Sequence, residues 1–149
     1  IPGVGKINLD TIVFDLNGTL TVYGKLPNGV IERIEKLKNA GFRLILLTSD
    51  QRDNAQKLSK KTGLECVIAG SSDEKAEFVK KLHYERTISV GNARVDIGMF
   101  ENTTVRIATL QAEGIHSEIV KYVDIITSSI NDAFDLILDK DAFVSTMKK

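Results

Sequence analysis

Short apolar runs alternate with longer amphipathic segments along the chain. Residues 11–14, 43–47, 66–69, 87–90, 105–108 and 124–126 are mostly continuous in hydrophobicity, the pattern of parallel strands covered on both faces. Between them, residues 29–39 place Val30, Ile34 and Leu37 on one helical face and stop at Ala40-Gly41. Residues 53–61 and 73–82 behave alike. The first of these ends at Gly63, and the second follows Ser71-Ser72-Asp73-Glu74, a stretch rich in N-cap candidates. Residues 131–138 form one more helix. Strand and helix in repeated alternation predict a Rossmann-like open α/β sheet with right-handed crossovers and helices on both faces. At 149 residues without an internal repeat or linker, a single domain over 1–149 is expected.

On such a sheet, ligands bind outside the carboxyl ends of the strands. The loops there are unusually polar. The first strand runs into Asp15-Leu16-Asn17-Gly18-Thr19-Leu20-Thr21, the second into Thr48-Ser49-Asp50, and the fourth into Gly91-Asn92-Ala93-Arg94-Val95-Asp96; the third helix opens near Lys75. An aspartate at the end of a buried strand, followed by a glycine turn, suits a nucleophile or a metal ligand facing phosphate. It equally suits a turn residue that caps the chain's exit from the sheet. Taken together, the loops bring a carboxylate, hydroxyls, an ammonium, an amide and a second carboxylate to one edge. That set covers what phosphoryl transfer needs: a nucleophile, donors to the equatorial oxygens, a cation and a Mg²⁺ site.

Composition narrows the chemistry further. Twenty basic residues balance twenty acidic ones, so no global field draws the chain to nucleic acid or to an anionic membrane. Lys36, Lys38, Arg43, Lys57, Lys60 and Lys61 read as solvated helix faces and ends. The single cysteine, Cys66, excludes an internal disulfide and a cysteine zinc site and reads as a buried strand residue. His83 and His116 lack a second ligand at metal spacing. No apolar run reaches bilayer length, and residues 1–6 lack the character of a signal peptide. A soluble, cytoplasmic protein is expected.

The order and spacing of these motifs resemble the haloacid dehalogenase superfamily, and within it the phosphorylation domain of P-type ATPases and their soluble phosphatase-like relatives. The pumps' Asp-Lys-Thr-Gly-Thr-Leu-Thr is matched by residues 15–21. Their Leu-Thr-Gly-Asp, followed by Thr-Ala, resembles Leu47-Thr48-Ser49-Asp50 with Asn54-Ala55; their lysine motif resembles Glu74-Lys75 with Val79 and Leu82. Their Gly-Asp-Gly-X-Asn-Asp hinge resembles residues 91–96, and their closing Ala-Asp-Ile resembles Val123-Asp124-Ile125. The resemblance implies that Asp15 attacks phosphorus, that the Asn17 carbonyl binds Mg²⁺ and that Thr48 donates to a phosphoryl oxygen. Lys75 would neutralise charge between Asp15 and the phosphate, with Gly18, Thr19 and Ser49 alongside it in substrate binding. Asn92 and Asp96 would complete or orient the metal site with Asp15. Asp50 either belongs to the second motif or caps the next helix.

Two departures bear on rate. Most phosphatases of the superfamily carry an acid–base aspartate two residues beyond the nucleophile, where this chain has Asn17, which exchanges no proton near neutral pH. Asn92 stands where the resemblance places the first hinge aspartate, so its amide oxygen would hold a hard cation without a negative charge. Slow turnover is implied. The alternatives are a phosphoryl-accepting regulatory or binding module and a degenerate domain kept for an interaction. Between Thr21 and Leu47 there is room for neither a nucleotide-binding domain nor a cap. The site should therefore be open, suited to a phosphoprotein or a phosphorylated small molecule, or closed by a second copy in a homo-oligomer.

Overall fold

The structure, a computed structural model, describes residues 1–50 and 53–149. Six strands form one parallel sheet: β1 (Thr11–Phe14), β2 (Arg43–Thr48), β3 (Glu65–Ile68), β4 (Thr87–Gly91), β5 (Val105–Thr109) and β6 (Ile125–Thr127), in the order β3-β2-β1-β4-β5-β6. Helices α1 (Val30–Asn39), α2 (Asp53–Thr62), α3 (Ser72–Val79), α4 (Ile97–Phe100), α5 (Ile130–Leu138) and α6 (Lys140–Met147) surround it.

Alternation along the strands distributes the core over two faces. Ile12 and Phe14 of β1 join Leu44, Leu46, Ile88, Val90 and Ile107 in a cluster with Val30, Ile34 and Leu37 of α1 and Ala133 and Phe134 of α5. Val13, Ile45 and Leu47 point the other way, to Val79 of α3 and Met99 and Phe100 of α4. Period-two side chains on strands buried from both sides account for the unbroken apolar runs.

The chain moves outward from β1 through β2 to β3 and then returns to place β4 on the other flank of β1. This reversal opens a crevice at the carboxyl ends of β1 and β4, where ligands bind in open α/β sheets. Phe14 is level with Leu46 and Val90, so the next residue, Asp15, leaves the sheet at its centre. Neither the β1–β2 connection, a turn followed by α1, nor the β3–α3 connection carries an inserted cap.

Several elements depart from expectation. Cys66 is half-buried because β3 is an edge strand, with exposed Glu65 and Ile68 at its ends. Helix α3 stops at Val79, and residues 80–82 close in tighter turns in which Leu82 N–H donates to Val79. Helix α6 extends the chain beyond the expected last helix; Asp139 caps it by accepting from Ala142 N–H at 3.0 Å. The expected cap of α3 is present, Ser71 Oγ accepting from Glu74 N–H at 3.1 Å. The cap of α2, which Asp50 was a candidate to provide, lies outside the described residues. No helix among the described residues is long and apolar enough to cross a membrane.

Candidate active site

Three charged side chains meet beneath the crevice. Lys75, in the second turn of α3, is fully buried; its Nζ donates to Asp15 Oδ1 at 2.9 Å and to Asp96 Oδ1 at 2.8 Å. The other oxygen of Asp96 accepts from the backbone N–H groups of Asn92 at 2.9 Å and Ala93 at 3.1 Å. Asp96 thus ties the loop after β4 to the lysine, and both its oxygens hold N–H donors. That is an orienting geometry.

Two glycines make the approach possible. A Cβ on Gly98 would lie 2.0 Å from the Ser72 carbonyl oxygen, while Gly98 N–H donates to Ser72 Oγ at 2.8 Å. The start of α4 therefore lies directly on the start of α3, which brings Asp96 within reach of Lys75. At Gly91 a Cβ would meet the Asp96 carboxylate at 2.5 Å. Sequence reading singled out neither contact, because close backbone approach leaves no periodic signal.

Burial and the neighbouring Asp96 carboxylate push the Asp15 carboxyl up from 3.8 to about 6, against the opposing pull of Lys75. For Lys75, burial works to lower the pKa, but the Asp96 and Asp15 carboxylates outweigh it and the ammonium is held above its ordinary value. With all three ionised, two negative charges face one positive charge in a nearly waterless site. Such a site has room, electrostatically, for one more cation beside Asp15.

The turn after Asp15 is closed on itself. Thr19 N–H donates to Leu16 O, Leu20 N–H to Asp15 O and Thr21 N–H to Leu16 O, at 3.3, 3.3 and 2.9 Å. Gly18 sits at φ 77, and a Cβ there would lie 2.3 Å from the Asn92 amide nitrogen. Thr19 is fully buried and directs its hydroxyl to Asn92 Oδ1 at 3.3 Å, so it pins the two loops together. Asn92 also donates to Gly114 O at 3.3 Å.

At the end of β2, buried Thr48 accepts from Asp50 N–H at 3.0 Å through its hydroxyl oxygen, a group that can both accept and donate. Ser49 is exposed. Asn17, also exposed, donates from its amide to Asp50 Oδ2 at 3.3 Å. The basic residues behave mostly as surface groups: Arg43 pairs with Glu65 at 2.8 Å, though Lys38 donates to Thr62 O and so fastens α1 to the end of α2. His116 takes a structural place, accepting from Glu118 N–H through Nδ1 while its backbone N–H donates to Asn92 O.

Among the described residues no three His, Cys, Asp or Glu side chains form a metal cluster. The hard oxygen donors that the motifs bring to this edge include the Asp15 carboxylate, the Asn92 amide oxygen and the backbone carbonyl of exposed Asn17. This set does not fit zinc. It does fit Mg²⁺, which is commonly held by one or two carboxylates together with substrate phosphate. Cavity size does not mark the site: one cavity of about 580 Å³, lined by Leu9, Phe42, Ile137 and Phe143, opens at the other end of the sheet.

No family model matches the chain. In sequence it is 29% identical over 118 residues to a copper-exporting P-type ATPase from Staphylococcus aureus, covering 72% of this chain and 15% of that protein. It is 24% identical over 133 residues to a soluble P-type ATPase-like phosphatase from Methanocaldococcus jannaschii, covering 86% of this chain and 49% of that one. The chain thus spans half or less of the length of these relatives. In structure it is similar to a phosphoserine phosphatase solved as a phospho-aspartyl intermediate analogue, with a TM-score of 0.73 and 16% identity over 86% of this chain and 98% of that one. It is also similar to a 3-deoxy-D-manno-octulosonate 8-phosphate phosphatase from Moraxella catarrhalis, solved with magnesium ion, phosphate ion and KDO. There the TM-score is 0.74 and the identity 17%, over 94% of each chain.

Proposed function

We propose, from a chain that folds like the haloacid dehalogenase-type phosphatases and resembles P-type ATPases in sequence, that residues 1–149 act as one Mg²⁺-dependent phosphohydrolase domain working through an aspartyl phosphate on Asp15. One observation carries the reading: buried Lys75 bridges Asp15 and Asp96 at the topological reversal of the sheet. An ammonium fixed 2.9 Å from the attacking carboxylate stabilises charge gathering on a transferring phosphoryl group, and its rigidity avoids reorganisation during reaction.

Asp15 Oδ1 is held by Lys75, which leaves Oδ2 to face phosphorus. Thr48 donates its hydroxyl to a phosphoryl oxygen, with Ser49 at the rim. Gly18 lets the turn pass close to Asn92 and the bound phosphate. Asp96 keeps Lys75 and the hinge loop in register. Mg²⁺, held by Asp15, the Asn17 carbonyl and Asn92, would supply charge neutralisation of the phosphate and favour the ionised form of Asp15. The open crevice suits a phosphorylated small molecule or a phosphoprotein, with closure by a second copy as one way to exclude water.

The test is release of inorganic phosphate from an aryl phosphate with Mg²⁺ and with EDTA. Metal-dependent release that disappears in Asp15→Asn supports the enzyme. A second reading has its own observation: Asn17, hydrogen-bonded to Asp50, has no proton to exchange. This favours a long-lived aspartyl phosphate and so a phosphoryl-accepting module. Absence of release, with beryllofluoride trapped at Asp15, would select it.

A further inference from the structure

The segment after β5 touches the nucleophile turn, the turn around Tyr23 and the hinge loop. Gln111 donates from its amide to Gly18 O at 3.4 Å and to Thr19 O. Glu113 accepts from Tyr23 N–H at 2.8 Å, Gly114 O accepts from the Asn92 amide, and His116 N–H donates to Asn92 O at 2.9 Å. Nucleophile turn, the strand-like turn around Tyr23 and hinge loop are thus fastened to one short stretch of chain. Among the described residues, Tyr23 and Gln111 are the non-glycine residues with positive φ, at 48° and 46°. They lie on the two sides of this contact.

We infer that Gln111 is a positioning residue for the nucleophile Asp15. In a trans peptide the C=O and N–H point in opposite directions. The peptide whose carbonyl is Gly18 O carries Thr19 N–H, which donates to Leu16 O; the peptide whose carbonyl is Thr19 O carries Leu20 N–H, which donates to Asp15 O. One amide group of Gln111 therefore grips the outer ends of the two peptides whose inner ends close on Asp15 and Leu16. It fixes the tilt of both planes and through them the backbone of the nucleophile. The left-handed backbone at Gln111, which side chains seldom adopt, aims the amide at this target. A glycine would take that backbone freely but bring no donor.

The inference rests on the phosphoryl-transfer reading only for its kinetic part. Its direct test is amide hydrogen exchange by NMR at Thr19 and Leu20 in the wild type, Gln111→Gly and Gln111→Glu. Glycine removes the donor while relieving the backbone; glutamate keeps the length but, ionised, donates nothing. In both variants exchange at these two amides should accelerate about tenfold or more while amides of β5 are unchanged. The Tm of Gln111→Gly should stay within about 2 °C of wild type. With an aryl phosphate and Mg²⁺, kcat should fall about tenfold to a hundredfold in both, with KM changed less than about threefold. A role in stability alone would make activity follow Tm and spare the glycine variant.

Wild-type exchange at Thr19 and Leu20 in both variants overturns the inference. So does accelerated exchange with kcat unchanged. If the wild type itself releases no phosphate, the phosphohydrolase reading fails by that result, and beryllofluoride affinity replaces kcat: weakening of about tenfold in both variants is expected, and unchanged affinity overturns the inference.

Discussion

Lys75 reaches Asp96 at 2.8 Å with neither side chain exposed to solvent, and this contact rests on the absence of a side chain at Gly98, where α4 meets the start of α3. The pair holds a positive charge beneath the carboxylate of Asp15. Breaking a buried ion pair from one side leaves an uncompensated charge, so Lys75→Met is expected to lower stability by about 3–5 kcal/mol and to abolish phosphate release. Because two buried carboxylates then repel, adding Asp15→Asn to Lys75→Met should restore part of the lost stability. Urea unfolding of the two single variants and the double variant measures this coupling; strict additivity would remove Lys75 from between the carboxylates.

The raised carboxyl of Asp15 has a consequence for stability in the metal-free protein. Its folded pKa of about 6 lies above the ordinary 3.8. Below the lower value the group is protonated in folded and unfolded chains alike. Between the two values the unfolded chain releases a proton that the folded chain keeps, and above about 6 the folded chain carries the buried charge. The contribution of Asp15 to stability is therefore highest in acid and falls as pH rises through this window, by about 3 kcal/mol in all. Asp15→Asn lacks this loss, so in EDTA its stability relative to wild type should increase between about pH 4 and about pH 7.5. A pH-independent difference would contradict the raised pKa.

How much of this was legible in the sequence depends on the range of the interaction. Asp15 and Thr48 stand at strand ends, Lys75 in the second turn of α3 and Asp96 directly before α4, where short motifs place a side chain by local geometry. The two-faced core followed from the unbroken apolar runs. Edge position did not: residues 66–68 are as apolar as a central strand, and only the sheet order leaves Cys66 half-buried. Helix α6 gave no clear periodicity because its apolar stripe is weak, with Phe143 as its one buried side chain. Gly98 and Gln111 were invisible for a different reason. Their significance lies in what approaches them from 26 and about 90 residues away.

Under the proposed reading, Asn92 offers Mg²⁺ an amide oxygen where one more negative charge would strengthen the site. Its replacement Asn92→Asp would lose the donor to Gly114 O, a modest loosening, but would place a carboxylate in the crevice. A full charge within a few Å of a divalent ion is worth several kcal/mol at the effective dielectric of such sites. The Mg²⁺ concentration for half-maximal phosphate release should fall by about tenfold or more. An unchanged requirement would mean that Asn92 acts solely as the link between Gly18, Thr19 and Gly114.

Under the proposed mechanism, Asn17 bears on the other half of the reaction. Attack of Asp15 on an aryl phosphate needs little help, since the leaving oxygen departs as a weak base. Hydrolysis of the resulting aspartyl phosphate differs, because water must lose a proton as it attacks, and a positioned base contributes about a hundredfold to ten-thousandfold. Asn17 provides none, and its amide is turned to Asp50 Oδ2 at 3.3 Å. The intermediate should therefore accumulate, seen as a burst of leaving group and an acid-stable, hydroxylamine-sensitive label. In Asn17→Asp a carboxylate able to exchange a proton would stand at this position. Rapid-quench measurement should then find dephosphorylation faster by about a hundredfold or more and the burst gone. Turnover unchanged or lower in Asn17→Asp, with no labelled intermediate in either protein, would remove the pump-like mechanism and leave the binding module as the reading of this site.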